Sequence, residues 1–443
     1  MKDKKTIVLG LSLLLFFAIP STSAQLEEPS FPYSSFTLEN GLTVILSVDE
    51  SLPLVSIVAA YRVGSSNDTP GKYGMAYLME NLMMFKGSRN IGPMQNINYL
   101  NRIGGEFNAE TNADKTIFSQ TVPSNQLALV LWLESDRMNS VSINASSVQQ
   151  AKNSLIEEIQ IAHAINPYRQ SAIYFDQLLY ANPAYSHPVM GTNINDIRNI
   201  SVDDISNFYS MYYSPNNAVV SIVGNIDIVQ TTKLIRKYFE SIPAGNKSVR
   251  INLEKPEETE DIEEIFEHIM APSPGFYLGY RLSPPYTYDY YTLSIIDYLL
   301  LHGKSSRLYK RLIRQRIAFH LEGGIEIRKD FTVFKLMALT NEDMMKERSR
   351  RVVFSEINRL RTNLIQEKEL QRAKNMFKAD YLKQFETTLG KAVHLAETYI
   401  EKGHLEELFS EMNKYMRVTP THVMRAMNSY FSHGSILLEI TIR

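Results

Sequence analysis

The sequence predicts a fold of mixed α and β character arranged as two equivalent lobes. Three observations carry this. At 443 residues the chain exceeds one ordinary hydrophobic core, since domains run to about 150 residues each. Helical and strand patterns alternate along it. A short internal repeat closes each half: Ser201, Asn207, Tyr212 and Ser214 lead into the β-rich run Ala218 to Val223, and Thr419, Arg425, Tyr430 and Ser432 lead into Ile436 to Ile442. Ser201 to Ser214 and Thr419 to Ser432 span the same 13 positions, with Ser or Thr placed to cap the helix that fills the interval.

Residues 1–24 read as a removable export signal. Lys2, Lys4 and Lys5 give a positive start, Ile7 to Ile19 an apolar run, and Thr22-Ser23-Ala24 a small-residue cleavage site, so the mature chain is expected to begin near Gln25 in a periplasm or beyond. The apolar run of 13 residues is shorter than the roughly 20 that a membrane-spanning helix needs. The first lobe then occupies 30–250. Thr37 to Ser47 alternates around an Asn40-Gly41 turn and reads as a hairpin. Helical patterns cover Tyr73 to Met84, Gln126 to Asn139 and Val148 to Ala164, and Asn108 to Pro123 reads as strand. Around Pro256 the chain turns acidic, giving a linker over 251–264; the second lobe, 265–443, opens on a strand-like segment, Phe276 to Arg281.

Composition excludes several classes. A net charge of −2 provides no basic face for nucleic acid. With no cysteine there is no disulfide, thiol nucleophile or lipidated cysteine. None of the nine histidines lies three or four positions from another on one helix, and neither a Gly-x-Ser-x-Gly elbow nor a phosphate-binding Gly-x-x-x-x-Gly-Lys loop is present.

Three segments resemble the insulinase/pitrilysin family of zinc peptidases, above all its smaller members related to the mitochondrial processing peptidase and the bacterial two-subunit peptidases. The first is Gly74 to Gly87, GMAYLMENLMMFKG. The second is Tyr212 to Ala218, YYSPNNA, with Gly224-Asn225-Ile226-Asp227 and the preceding Pro188, Gly191-Thr192 and Asp196-Ile197. The third is Ser305-Ser306-Arg307-Leu308-Tyr309 with Glu369 to Asn375. The resemblance implies an α+β fold of two homologous lobes, each a mainly antiparallel sheet backed by helices, facing each other as a clamshell.

Active members carry His-x-x-Glu-His on the first helix. Two imidazoles at i and i+4 share one helical face and a Zn²⁺, the Glu acts as general base, and a distant Glu completes the ligands. By this resemblance Tyr77 stands at the first ligand position, Glu80 at the base, Asn81 at the second ligand and Glu158, 77 positions beyond Asn81, at the third, with Glu157 beside it. A neutral phenol and an amide are poor zinc donors, so no metal cofactor is expected. Tyr77 and Asn81 read instead as a repacked helix face hydrogen-bonded to neighbours. Glu158 reads either as a relic of the site or as a solvated or paired helix carboxylate. In active members an Arg and a Tyr of the second lobe assist the substrate and the oxyanion. The matching stretch here, Leu312 to His320, puts Phe319 in the Tyr place and is one residue short, which unsettles the register of Arg314. Gly104 to Thr111 resembles the turn and edge strand on which an extended substrate is laid, making Asn108, Ala109, Glu110 and Thr111 candidate peptide contacts, against the alternative that the protein itself covers this strand.

The expected function is that of a catalytically inactive subunit or peptide-binding scaffold paired as a heterodimer with a zinc-bearing family member. Two alternatives stay open: an active zinc endopeptidase with atypical ligands, and a free-standing peptide-binding module.

Overall fold

The computed structural model describes residues 30–246, 260–268 and 271–442. The expected export signal, the expected start of a mature chain and positions 251–259 of the acidic linker lie outside them. The first half supplies β1 (Ser34–Thr37), β2 (Thr43–Val48), β3 (Leu54–Tyr61), α1 (Met75–Phe85), α2 (Gln95–Arg102), β4 (Glu106–Thr111), β5 (Thr116–Pro123), α3 (Leu127–Asn139), α4 (Ala145–Ile165), α5 (Arg169–Tyr180), α6 (Ile194–Asn199), α7 (Val202–Tyr212), β6 (Ala218–Gly224) and α8 (Ile228–Phe239). The second half supplies β7 (Ile262–His268), β8 (Gly275–Leu282), α9 (Tyr288–Leu300), β9 (His320–Ile327), β10 (Thr332–Leu339), α10 (Asp343–Thr362), α11 (Glu367–Lys383), α12 (Thr388–Lys402), α13 (Glu411–Met416), α14 (Pro420–Tyr430) and β11 (Ile436–Ile442). No described helix is long and apolar enough to cross a membrane.

Two mixed, mainly antiparallel sheets result, ordered β1-β2-β6-β3-β5-β4 and β7-β11-β8-β10-β9. Apart from β1 the two orders are equivalent. In each, the closing strand enters between the first and third, parallel to one and antiparallel to the other. The sequence repeat is the visible trace of this symmetry. Ser201 and Thr419 each cap an 11-residue helix through a capping box, and each helix delivers the chain to a 7-residue strand.

Two expectations are corrected. Asn108 to Pro123 is a hairpin of β4 and β5 and not one strand: the Asn112 side chain accepts from the Asp114 and Lys115 amides at 2.9 Å each, and this local turn reverses the chain. The acidic stretch, too, does not remain linker to 264. From Ile262 it is β7, parallel to β11. Its carboxylates are tolerated there because Glu263 meets Arg350 and Glu264 accepts from the Tyr174 hydroxyl.

Each sheet has one face covered by its own lobe's helices and the other by a helix from the opposite lobe. From the second half, α12 lays Ala392, Leu395 and Ala396 on Ile45, Val58, Ala60, Val219 and Val223 of the first sheet. From the first half, α5 lays Phe175, Leu179 and Tyr180 among Tyr277, Val333, Leu438 and Ile440 of the second. Gly279 permits this approach, because a Cβ there would stand 2.7 Å from Leu179 Cδ1 and 2.9 Å from Phe175 Cζ. The two lobes are therefore interlocked by a reciprocal exchange of helices.

Polar contacts follow the same seam. Lys115 lies 2.6 Å from both Glu397 and Glu401, Lys335 3.1 Å from Asp176, and Lys391 2.6 Å from Asp49. The hydrogen bond from Lys391, aided by Ser51, holds the Asp49 carboxyl down at about 2 from its ordinary 3.8. A depressed carboxyl stabilises the fold fully above its unfolded value, and that contribution is lost as pH falls through the folded one. Lys391→Met is therefore expected to cost about 1 kcal/mol at neutral pH. Urea titrations of both proteins should show the difference shrinking below about pH 4 and gone near pH 2; a difference independent of pH would refute this account.

Candidate functional site

The first family-like segment begins at Gly74, whose φ of 101° is open to glycine, and whose missing side chain leaves room for Ile197 Cδ1 and the Met190 carbonyl. Asp68 then starts α1. Its buried carboxylate accepts from the Gly74 amide at 2.6 Å and the Ala76 amide at 2.9 Å, serving donors that a helix start leaves unpaired. This capping role went unread in the sequence, since Asp68 lies well outside the usual cap position. The helix buries Met75, Leu78, Met79, Leu82 and Met83, and among them, unusually, Glu80 and Asn81, each 8% exposed.

Three elements converge on Glu80. Across from α1, α4 is started by Asn144, whose side chain accepts from the Ser146 and Ser147 amides, and it carries Glu158 to Tyr77. The edge strand β4 brings Thr111 and Glu110. Burial lifts the Tyr77 phenol well above its ordinary pKa, and Glu158, its charged and hydrogen-bonding neighbour, lifts it further. Tyr77 is held as a neutral phenol. Burial also raises the Glu80 carboxyl; the neighbouring Thr111 hydroxyl opposes that rise, and the charges of Glu110 and Glu158 add to it. One Glu80 oxygen, Oε2, is buried with no hydrogen-bond partner among the described residues.

The donors gathered here are a protonated phenol, an amide and carboxylates. They do not fit zinc, which takes thiolate, imidazole and carboxylate in a tetrahedron. Among the described residues no three His, Cys, Asp or Glu side chains come together as a metal-holding group. Of the helix face expected to hydrogen-bond to its neighbours, the Tyr77 phenol stands beside Glu158. The Asn81 amide makes no hydrogen bond to a described residue, and Glu157 is exposed.

Of the candidate peptide contacts, Asn108, Ala109, Glu110 and Thr111 all lie on β4, which pairs with β5 alone and so leaves one edge open. Only Glu110 and Thr111 reach Glu80's surroundings. The second-lobe candidates stay apart. The stretch before them makes a wide turn over Tyr309–Ile313, closed by Arg314 N–H to the Tyr309 carbonyl at 3.0 Å, with Arg316 left-handed at φ 57°. Arg314 is exposed, with no side-chain partner among the described residues, and Phe319 is 51% exposed just before β9. Neither is joined to the Glu80 cluster by a hydrogen bond or ion pair. The third family-like segment does close on itself: Arg307 forks onto both oxygens of Glu369 at 2.9 and 2.8 Å.

Residues 43–189 match the family model described as insulinase (peptidase family M16), and residues 199–377 that described as the peptidase M16 inactive domain. The chain belongs to the insulinase/pitrilysin family. This insulinase-family protein is 27% identical over 436 residues to the zinc protease PqqE of Helicobacter pylori, covering 96% of each chain. It is 23% identical over 387 residues to the uncharacterized zinc protease YmxG of Bacillus subtilis, covering 85% of this chain and 91% of that one. The fold matches the crystal structure of a protease from Helicobacter pylori with a TM-score of 0.87 at 24% identity, over 93% of this chain and 100% of that one. The periplasmic protease PqqL of Escherichia coli matches with a TM-score of 0.75 at 18% identity, over 94% of this chain and 48% of that one. This chain thus spans about half of that protease.

Proposed function

We propose that this insulinase-family protein is an exported peptide-binding subunit that does not itself cleave peptides and works beside a zinc-bearing relative. The observation that carries the reading is the neutral Tyr77 phenol, turned to Glu158, at the place where active members hold an imidazole. A phenol kept protonated offers a metal little, and Asn81 offers less. The open edge of β4 supports retained peptide binding, because unpaired main-chain groups accept an extended segment as an added strand whether or not it is then cut.

Protein purified without chelator is expected to contain no stoichiometric zinc by plasma mass spectrometry, to leave an extended peptide intact and to bind it saturably. It should also co-purify with a neighbouring His-x-x-Glu-His chain and raise that chain's activity. Stoichiometric zinc with cleavage abolished by Glu80→Gln would establish the atypical zinc endopeptidase instead. Peptide binding with no partner would leave the free-standing module.

A further inference from the structure

The Glu80 cluster poses a chemical question that peptide binding through main-chain atoms alone does not answer. A carboxylate 8% exposed is costly to bury unless it is paired, yet Oε2 has no partner among the described residues. Its neighbours make the deficit worse. Thr111 stands near the carboxylate, while the charges that reach it belong to Glu110 and Glu158. Glu158 is itself turned to the Tyr77 phenol. Among the described residues no lysine or arginine pairs with Glu80, so the cluster is acidic beside the unpaired edge of β4.

We propose that the seat beside Glu80 Oε2 takes a lysine ammonium of the bound peptide, laid in by an extended segment pairing with β4. The inference rests on the peptide-binding reading and names the ligand's chemistry. Lysine is favoured over arginine by the count of free acceptors. One buried oxygen, Oε2, stands without a partner among the described residues, which suits a compact ammonium on a flexible stem better than a planar guanidinium that needs two parallel acceptors. Glu110 and Glu158 add field without requiring contact.

The test uses the full mature chain and peptides acetylated and amidated at their ends, built of alternating Thr and Val. A single lysine is moved through each position in turn, with norleucine as the neutral isostere, and binding is followed by calorimetry. One position is expected at which lysine binds about tenfold or more tighter than norleucine, as a charge-assisted hydrogen bond gives. Arginine there should gain less. The advantage of lysine over norleucine should vanish in Glu80→Gln, and should be indifferent to chelator. Norleucine equal to lysine at every position, with binding retained, overturns the inference and leaves the peptide-binding reading intact. No binding of any peptide overturns both. A lysine preference that survives Glu80→Gln, or that chelator removes, assigns the cation elsewhere or to a metal and overturns the inference as well.

Discussion

Tyr77→His combined with Asn81→His is expected to raise zinc from near nothing to roughly one equivalent per chain. The two positions lie four apart on α1, so imidazoles there share a face. Glu158 already lies against the Tyr77 side chain, and Glu80 is already in place as a buried carboxylate. Cleavage should recover much less than binding. By the family resemblance Phe319 stands where active members place the phenol that steadies an oxyanion, and one such donor is worth about a hundredfold or more in rate. Adding Phe319→Tyr examines that step separately. Should the double variant bind no zinc, Glu158 is not a third ligand, and the correspondence with active relatives fails at that residue.

The second large effect is at the seam. Leu395 belongs to the second half of the chain but is fully buried on the first sheet, among Ile45, Val58 and Val219. Leu395→Ala is expected to cost about 2–5 kcal/mol, as emptied core positions do. The loss should register in the opposite lobe. Trp132, the single tryptophan, sits on α3 against the first lobe's core, so its fluorescence in a urea titration should report the destabilisation directly. A Trp132 transition unmoved by Leu395→Ala would show that the exchanged helix is decoration. A site-specific protease site inserted between 247 and 259, once cut, should likewise leave two fragments that elute together.

Much of this architecture was legible in local chemistry. The capping residues Ser201 and Thr419 announced two helices that the structure places at equivalent points, and Asn40-Gly41 announced the first hairpin. What escaped was of two kinds. The turn at Asn112 depends on a side chain folding back onto amides two and three residues on, which no periodicity reveals. The exchange of α5 and α12 escaped for a deeper reason. An amphipathic helix declares that it has an apolar face, and nothing in its sequence declares which of two similar sheets that face will meet. At the site, the resemblance pointed to Tyr77, Glu80, Asn81 and Glu158, but the nearness of Thr111 to Glu80 and the unpartnered Oε2 required three dimensions.

The crossing of α12 also governs how the chain can mature. β6 completes the first sheet, yet the helix that shields that sheet's second face begins more than 160 residues later. At about 5–20 residues per second of synthesis, Ile45, Val58, Ala60 and Val223 wait on the order of ten seconds or more for their cover. During that interval a prematurely folded first half would present a bare, sticky sheet to its surroundings. A first half folded on its own would lack that cover, so the second face of its sheet is completed only once the residues from Thr388 onward exist.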